Sequence, residues 1–269
     1  MPEICERLPI ASSPISVILF AHALATETQE ALDTWRRYLD TLKRHAEIIV
    51  VQETRPEVAS PVESEPRVAR TIAFDRTNGF RDAVNSAIRS AQYPLIAFST
   101  CDKQYVPADL DRMLKVIDQV DMVIGYRTGG QAPPWRVLLD TLIGLFSRLV
   151  LGLPVEPRKC WLSRGWGRRW VARWAFGIRA SDPECPFRLA RRTIFAHMPI
   201  QSGGPFLEVE VLAKANHLTC YLAEESVTWT PPATPGSDTV AFSEDAWLVF
   251  RNPDFGAYQP LRPDDAQLA

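Results

Sequence analysis

The sequence predicts an α/β protein built on an open, mostly parallel sheet with helices on both faces. Two observations carry this. Short β-branched apolar runs alternate regularly with helix-length segments through the first 125 residues. The lengths between successive runs also suit right-handed crossovers between parallel strands.

Taken in order, residues 15–20 (ISVILF) are apolar and β-branched and read as a buried strand. Residues 28–46 place Leu32, Trp35, Leu39 and Leu42 at helical spacing, and 47–51 (EIIVV) form a second buried strand. Residues 55–67 are rich in Pro, Glu and Ser and read as a loop. A strand at 68–74, a helix at 79–91, a strand at 95–99, a helix at 110–120 and a strand at 122–125 complete the alternation. Ligands of such sheets bind beyond the carboxyl ends of the strands, so the loops at 20–27, 52–55, 99–105 and 126–134 are the places to look.

The second half changes character. Residues 135–153 read as a long apolar helix with a narrow polar face of Arg136, Asp140, Gly144 and Ser147. Residues 158–179 carry seven basic residues, no acidic one, and Trp161, Trp166, Trp170 and Trp174. A strand-and-helix tail follows at 188–196, 207–215 and 220–229. Residues 231–269 are weakly periodic and are expected to be extended or partly disordered. The expected organisation is one domain over residues 1–230 and a tail over 231–269.

Composition narrows the function. The chain has 269 residues, 46% of them hydrophobic, enough for one large core. A net charge of −2 argues against a dedicated nucleic-acid binder. Five scattered cysteines without a CxxC fit reduced cytosolic thiols. No basic n-region precedes a long apolar run, so no signal peptide is expected, and no stretch has the ~20 apolar residues of a membrane span.

Four constellations could carry chemistry. Asp102, on the loop after the fourth strand, suits Mg²⁺ or Mn²⁺, which take oxygen ligands, and Gln104 can add an amide oxygen. The same Asp would equally serve as a turn former or helix cap. Between the third strand and its helix, Arg76, Asn78, Gly79 and Arg81 make either an anion site at a helix start or an ordinary Asn-Gly turn. Asp182-Pro-Glu-Cys-Pro-Phe-Arg188 offers an acid and a phosphate clamp in a rigid turn, or a salt-bridged connection. Trp166, Trp170 and Trp174 share a helical face beside Arg169 and Arg173. That stripe suits an anionic bilayer surface, an ordinary core or a nucleic acid, and the preceding apolar helix favours the membrane.

In order, these segments resemble family 2 glycosyltransferases of the GT-A fold, in the branch of dolichyl-phosphate mannosyltransferase and its bacterial polyprenyl-phosphate relatives. The family's SVVIPAYNE strand is matched by residues 16–24, its EIIVVDDGS strand by 47–54, and its N-x-G turn by 78–83. Its DADxQ metal motif is matched by Thr100-Cys101-Asp102-Lys103-Gln104, and DxVIGSR by Asp121 to Arg127. The D-x-x-x-GFR turn falls on Asp182 to Arg188, and F-x-E-x-E-x-L on Phe206 to Leu212. The departures are Thr100 for the first metal acid, Gln52-Glu53 for the acid pair, Pro186 for Gly, and His22-Ala23 for Tyr-Asn.

The resemblance implies a metal-dependent inverting glycosyltransferase moving a sugar from a nucleotide-sugar to a polyprenyl phosphate, with no nucleic-acid partner. Asp102 and Gln104 would hold Mg²⁺ or Mn²⁺. Ala21, Glu53, Asn78, Arg81 and Asp102 would bind the nucleotide, and Asp182 and Arg188 would be catalytic. Trp166, Arg169 and Trp170, within an interfacial segment spanning 135–179, would contact the membrane, placing a cytoplasmic protein at its inner face. Thr100 and Gln52 keep a second reading open: a non-catalytic scaffold of this fold that binds nucleotide or lipid. A nucleotidyltransferase would want Gly and Lys after the first strand, and residues 21–28 contain neither.

Overall fold

A computed structural model of the chain describes residues 9–21, 25–53, 68–74, 79–128, 178, 180–204, 206–231 and 239–255. Its centre is a seven-stranded sheet. The strands are β1 (Ile15–Ala21), β2 (Ala46–Glu53), β3 (Val68–Phe74), β4 (Leu95–Thr100), β5 (Met122–Thr128), β6 (Arg188–Arg191) and β7 (Leu222–Thr228). Their spatial order is β3-β2-β1-β4-β6-β5-β7. Every neighbouring pair is parallel except those of β6, which runs antiparallel to both β4 and β5. The expected α/β architecture is therefore present.

Helices cover both faces of the sheet's centre, which is why β1, β2 and β4 carry continuous apolar runs rather than an alternation. Alternate residues project to opposite sides. On one side Val17, Leu19, Ile48, Val50, Leu95 and Ala97 meet α1 (Ala25–Thr41) through Leu32, Trp35 and Leu39, and α3 (Leu110–Leu114) through Leu110 and Met113. On the other, Ile18, Phe20, Ile49, Val51, Ile96 and Phe98 pack on α2 (Phe80–Ser90) and α4 (Leu207–His217).

Three helical expectations are corrected. The first helix stops at Thr41 rather than 46. Lys43 adopts φ 50°, reversing the chain so that β2 can enter beside Ile15. The helix expected over 110–120 ends at Leu114, and the chain continues in tighter turns in which Val116 donates to Met113 O, Gln119 to Val116 O and Val120 to Ile117 O, with the Arg191 guanidinium capping the end through the carbonyls of Ile117, Asp118 and Val120. The tail, expected to be extended, contains α5 (Thr239–Arg251). Ala246 and Val249 bury one stripe of α5, yet Trp247, Leu248 and Phe250 are exposed, so no clean apolar periodicity marks it. Residues 135–153 and the Trp/Arg stripe, with Trp166, Arg169 and Trp170, lie outside the described residues. Among the described residues, no helix is long and apolar enough to cross a membrane.

β6 has four residues and depends on a close approach of backbones. Gly125 N–H donates to the Phe187 carbonyl at 2.9 Å. A Cβ on Gly125 would stand 2.7 Å from that oxygen, 3.0 Å from Val227 Cγ1 and 3.1 Å from Cys185 Sγ. Gly125→Ala must therefore push β5 and the loop before β6 apart, at a cost of about 1–3 kcal/mol in unfolding free energy. Denaturant melts should show the loss, and an unchanged midpoint would mean that the loop yields freely.

Candidate active site

Parallel strands end on a common edge. Ala21 of β1, Glu53 of β2, Thr100 of β4, Arg127 of β5 and Thr228 of β7 all lie toward it. Because β6 runs the opposite way, its first residue, Arg188, points the preceding loop 182–187 to the same edge. The inverted strand thus joins the Asp182 loop to the Asp102 loop, 80 positions away in sequence.

Asp102 is half-buried and tightly oriented. Its Oδ1 accepts from Thr100 Oγ1 at 2.7 Å and from the Gln104 backbone N–H at 3.0 Å. Its Oδ2 accepts from Gln104 Nε2 at 2.5 Å. Gln104 Oε1 in turn accepts from the Trp229 indole N–H at 3.2 Å. Gln104, expected as the auxiliary ligand, turns its NH₂ to Asp102 and its oxygen to Trp229, as a spacer between them. Two bonds fill the lone pairs of Oδ1, and Oδ2 keeps one. Among the described residues, no three His, Cys, Asp or Glu converge as a metal cage. The donors present fit a hard cation taking one carboxylate from protein and the rest from a diphosphate, as Mg²⁺ commonly does.

Asp182 is buried, and both its oxygens accept from Arg127, Nε at 2.6 Å and Nη2 at 2.8 Å. Burial works against the Arg127 charge, but the hydrogen bonds and charge of Asp182 outweigh it and hold the guanidinium firmly protonated. The Arg127 side chain keeps 23% of its exposure. Its guanidinium lies 5.5 Å over the Trp229 ring. Asp182, expected to be catalytic, is in this arrangement the anchor of an arginine.

Arg188 differs from expectation more sharply. Its Nε donates to Cys185 O at 2.9 Å, Nη1 to Glu208 O at 2.7 Å and Nη2 to Pro183 O at 2.8 Å. Its side chain is 2% exposed and pairs with Glu208 Oε2 at 3.4 Å. The fork that sequence assigned to a phosphate binds the loop's own carbonyls. Ala21 and Glu53 sit buried at the ends of neighbouring strands. Arg81 is half-exposed on the first turn of α2, 3.4 Å from Asp82. Asn78 lies outside the described residues.

The residues missed as site members are Arg127, Trp229 and Glu208. Arg127 ends the VIGYR run and Glu208 lies in the F-x-E-x-E run, so a signal existed for both. Trp229 stands at the exit of β7 in no recognisable pattern.

The chain's likenesses agree with this fold. Residues 16–201 match the family model described as Glycosyl transferase family 2. No curated protein sequence matches the chain. Glucosyl-3-phosphoglycerate synthase from Mycobacterium tuberculosis with uridine diphosphate is 15% identical over 91% of this chain and 83% of that one, at a TM-score of 0.56. The same synthase with Mn²⁺, UDP-glucose and phosphoglyceric acid gives 16%, 91%, 82% and 0.54. Mannosyl-3-phosphoglycerate synthase from Rubrobacter xylanophilus gives 13%, 89%, 72% and 0.51. At these identities the likeness establishes the fold, which is GT-A.

Two expectations follow. Arg188→Lys keeps the charge but gathers its donors on one nitrogen, which cannot reach carbonyls spread around a planar fork, so it should cost about 2–4 kcal/mol of unfolding free energy. A variant of wild-type stability would return Arg188 to a substrate role. Burial pushes the Glu208 carboxyl above its ordinary range, against the opposing charges of Arg188 and Arg127. A carboxyl so raised binds protons that the unfolded chain has released. Its contribution is therefore greatest in acid and is lost as pH rises through its folded value. The stability of Glu208→Gln relative to wild type should thus rise as pH increases above about 4. A flat difference in unfolding free energy would show that the carboxyl titrates normally.

Proposed function

The chain belongs to glycosyl transferase family 2, and from that premise we propose that it transfers a hexosyl group from a nucleotide-sugar to the phosphate of an acceptor. The acceptor class favoured by the sequence is a polyprenyl phosphate. The observation that carries this reading is the Arg127–Asp182 pair. Both carboxylate oxygens are occupied by the guanidinium, while Arg127 Nη1 takes no part in the pair. A hydroxyl acceptor needs a base to remove its proton, and Asp182 is committed elsewhere. A phosphate monoester is already anionic at neutral pH and needs none. Arg127 is then the group placed to meet its charge, in the role sequence gave to Arg188.

The donor is supported by the similar synthases, one of which was crystallised with Mn²⁺ and UDP-glucose. Another complex of the same synthase holds Mg²⁺ and UDP. In this chain Asp102 would hold the Mg²⁺ or Mn²⁺, whose contribution is to neutralise the diphosphate leaving group. Ala21 and Glu53 would receive the nucleoside at the ends of β1 and β2. Arg81, with Asn78 from the same turn, would add donors for the diphosphate. The acceptor's phosphate oxygen bonds to the anomeric carbon as the bond from that carbon to the diphosphate breaks. The nucleoside diphosphate then leaves, with the inversion that the family resemblance implies. Residues 1–230 would form the transferase domain, and 135–179, with Trp166, Arg169 and Trp170, would carry it to the inner face of the membrane.

Binding and transfer test this together. Thermal shifts with UDP-, GDP- and dTDP-sugars should reveal a donor that stabilises the protein only when Mn²⁺ is present. Asp102→Asn should lose that metal-dependent part. With the donor found, label should pass to polyprenyl phosphate in anionic vesicles and not to 3-phosphoglycerate. Transfer to 3-phosphoglycerate alone would move the acceptor to a hydroxyl and remove the lipid. Binding of donor without any transfer would leave the scaffold reading.

A further inference from the structure

We propose that Trp229 is a positioning residue for Asp102, acting through the Gln104 side-chain amide. The proposal rests on the reading of Asp102 as the cation-holding carboxylate.

The three groups form a chain whose direction is forced by chemistry. An indole N–H only donates, and a carboxylate only accepts. Between them lies an amide with one accepting and one donating end. One orientation alone satisfies both neighbours: oxygen toward Trp229 Nε1 at 3.2 Å, and NH₂ toward Asp102 Oδ2 at 2.5 Å. Without the indole N–H, the amide loses the partner that selects this orientation. The other orientation turns an amide oxygen onto the carboxylate, which is repulsive.

Trp229 is itself held from several directions. Its backbone N–H donates to Thr128 O at 3.0 Å, and the Thr230 N–H donates to Gln104 O at 2.9 Å. Tyr105 and Trp229 form an antiparallel bridge, and the Thr228 N–H donates to Asp109 Oδ2. Its ring lies under Arg127, which Asp182 clamps. The indole therefore arrives beside Gln104 from a frame fixed by β5, β7 and the segment that precedes α3. Thr100 and the Gln104 backbone hold the other carboxylate oxygen. Asp102 is left with one Oδ2 lone pair in a set direction, as a single-carboxylate cation site requires.

The test is a double-mutant cycle on the full chain. Trp229→Phe keeps an aromatic ring, though a smaller one, beneath Arg127 and removes the N–H. Gln104→Met keeps length and removes the amide. Mn²⁺ binding in the presence of the nucleoside diphosphate is measured by titration calorimetry and by the Mn²⁺ electron-spin signal. Each single variant should weaken Mn²⁺ by about tenfold, and the double variant by no more than Gln104→Met alone. Melting temperatures without metal check that all variants fold. In the metal-free protein, the Trp229 indole proton, identified by its loss in Trp229→Phe, should exchange with solvent faster in Gln104→Met. Wild-type Mn²⁺ affinity in Trp229→Phe, or losses that multiply in the double variant, would overturn the coupling alone. Absence of Mn²⁺ binding by the wild type with every nucleotide would instead overturn the reading of Asp102, and this proposal with it.

Discussion

Everything at the carboxyl edge depends on one inverted strand. β6 is too short to hold its place by its ladder alone, with four residues between β4 and β5. What fixes it is the Arg188 guanidinium, buried at the strand's first residue and spread over the carbonyls of Pro183, Cys185 and Glu208. A charge out of water is costly unless its donors are all met, and here each nitrogen meets an acceptor. The result ties β6, the loop before it and the first turn of α4 into one unit. Gly125 lets that unit approach β5 closely enough for the ladder to form. Asp182 is thereby delivered to Arg127, and Arg127 to Trp229.

The interior beneath the edge follows the same economy of polar groups. Glu210 is fully buried, yet its oxygens accept from the backbone N–H groups of Gln201 and Ser202 and pair with Lys214 at 2.7 Å. Lys214 donates in turn to the Pro199 carbonyl at 2.5 Å. The two acids of the F-x-E-x-E run thus do related work: Glu208 faces Arg188, and Glu210 fixes the chain between β6 and α4. Ser16 and Glu47 do the same at the opposite end of the sheet, taking the N–H groups of Tyr93 and Gln92.

Sequence made the sheet legible wherever burial on both faces leaves a continuous apolar run. β1 to β5 start within a residue of expectation, and β3 matches at both ends. It failed where distant side chains decide. Val116, Ile117 and Val120 carry on the apolar character of α3, but the backbone N–H groups of Val116, Gln119 and Val120 close tighter turns to residues three back, ending on carbonyls that the distant Arg191 caps. No local pattern tells that residues 188–191 invert, since direction is set by the neighbours they pair with. The placement of Asp102, Glu53 and Ala21 at the carboxyl edge was legible because strand ends define that edge. The burial of Arg188 within its own loop, with Arg127 left partly exposed, was not. Both are arginines beside a carboxylate, and only burial separates the one that braces the loop from the one that keeps exposure.

The replacement of an acid by Thr100 acquires a physical meaning in this frame. An acid there would place two carboxylates side by side, stabilised chiefly by a cation between them. Thr100 removes that repulsion, and its hydroxyl becomes a donor to Asp102 at 2.7 Å. Together with the Gln104 backbone and amide donors, it fixes the remaining carboxylate before any cation arrives. The chain has therefore exchanged charge for orientation. One carboxylate attracts a divalent cation less strongly than two, so such a site depends more on the oxygens that a diphosphate brings. Cation and nucleotide should then bind as a unit. The arrangement would suit the proposed transfer, with a cation held only while the donor is bound.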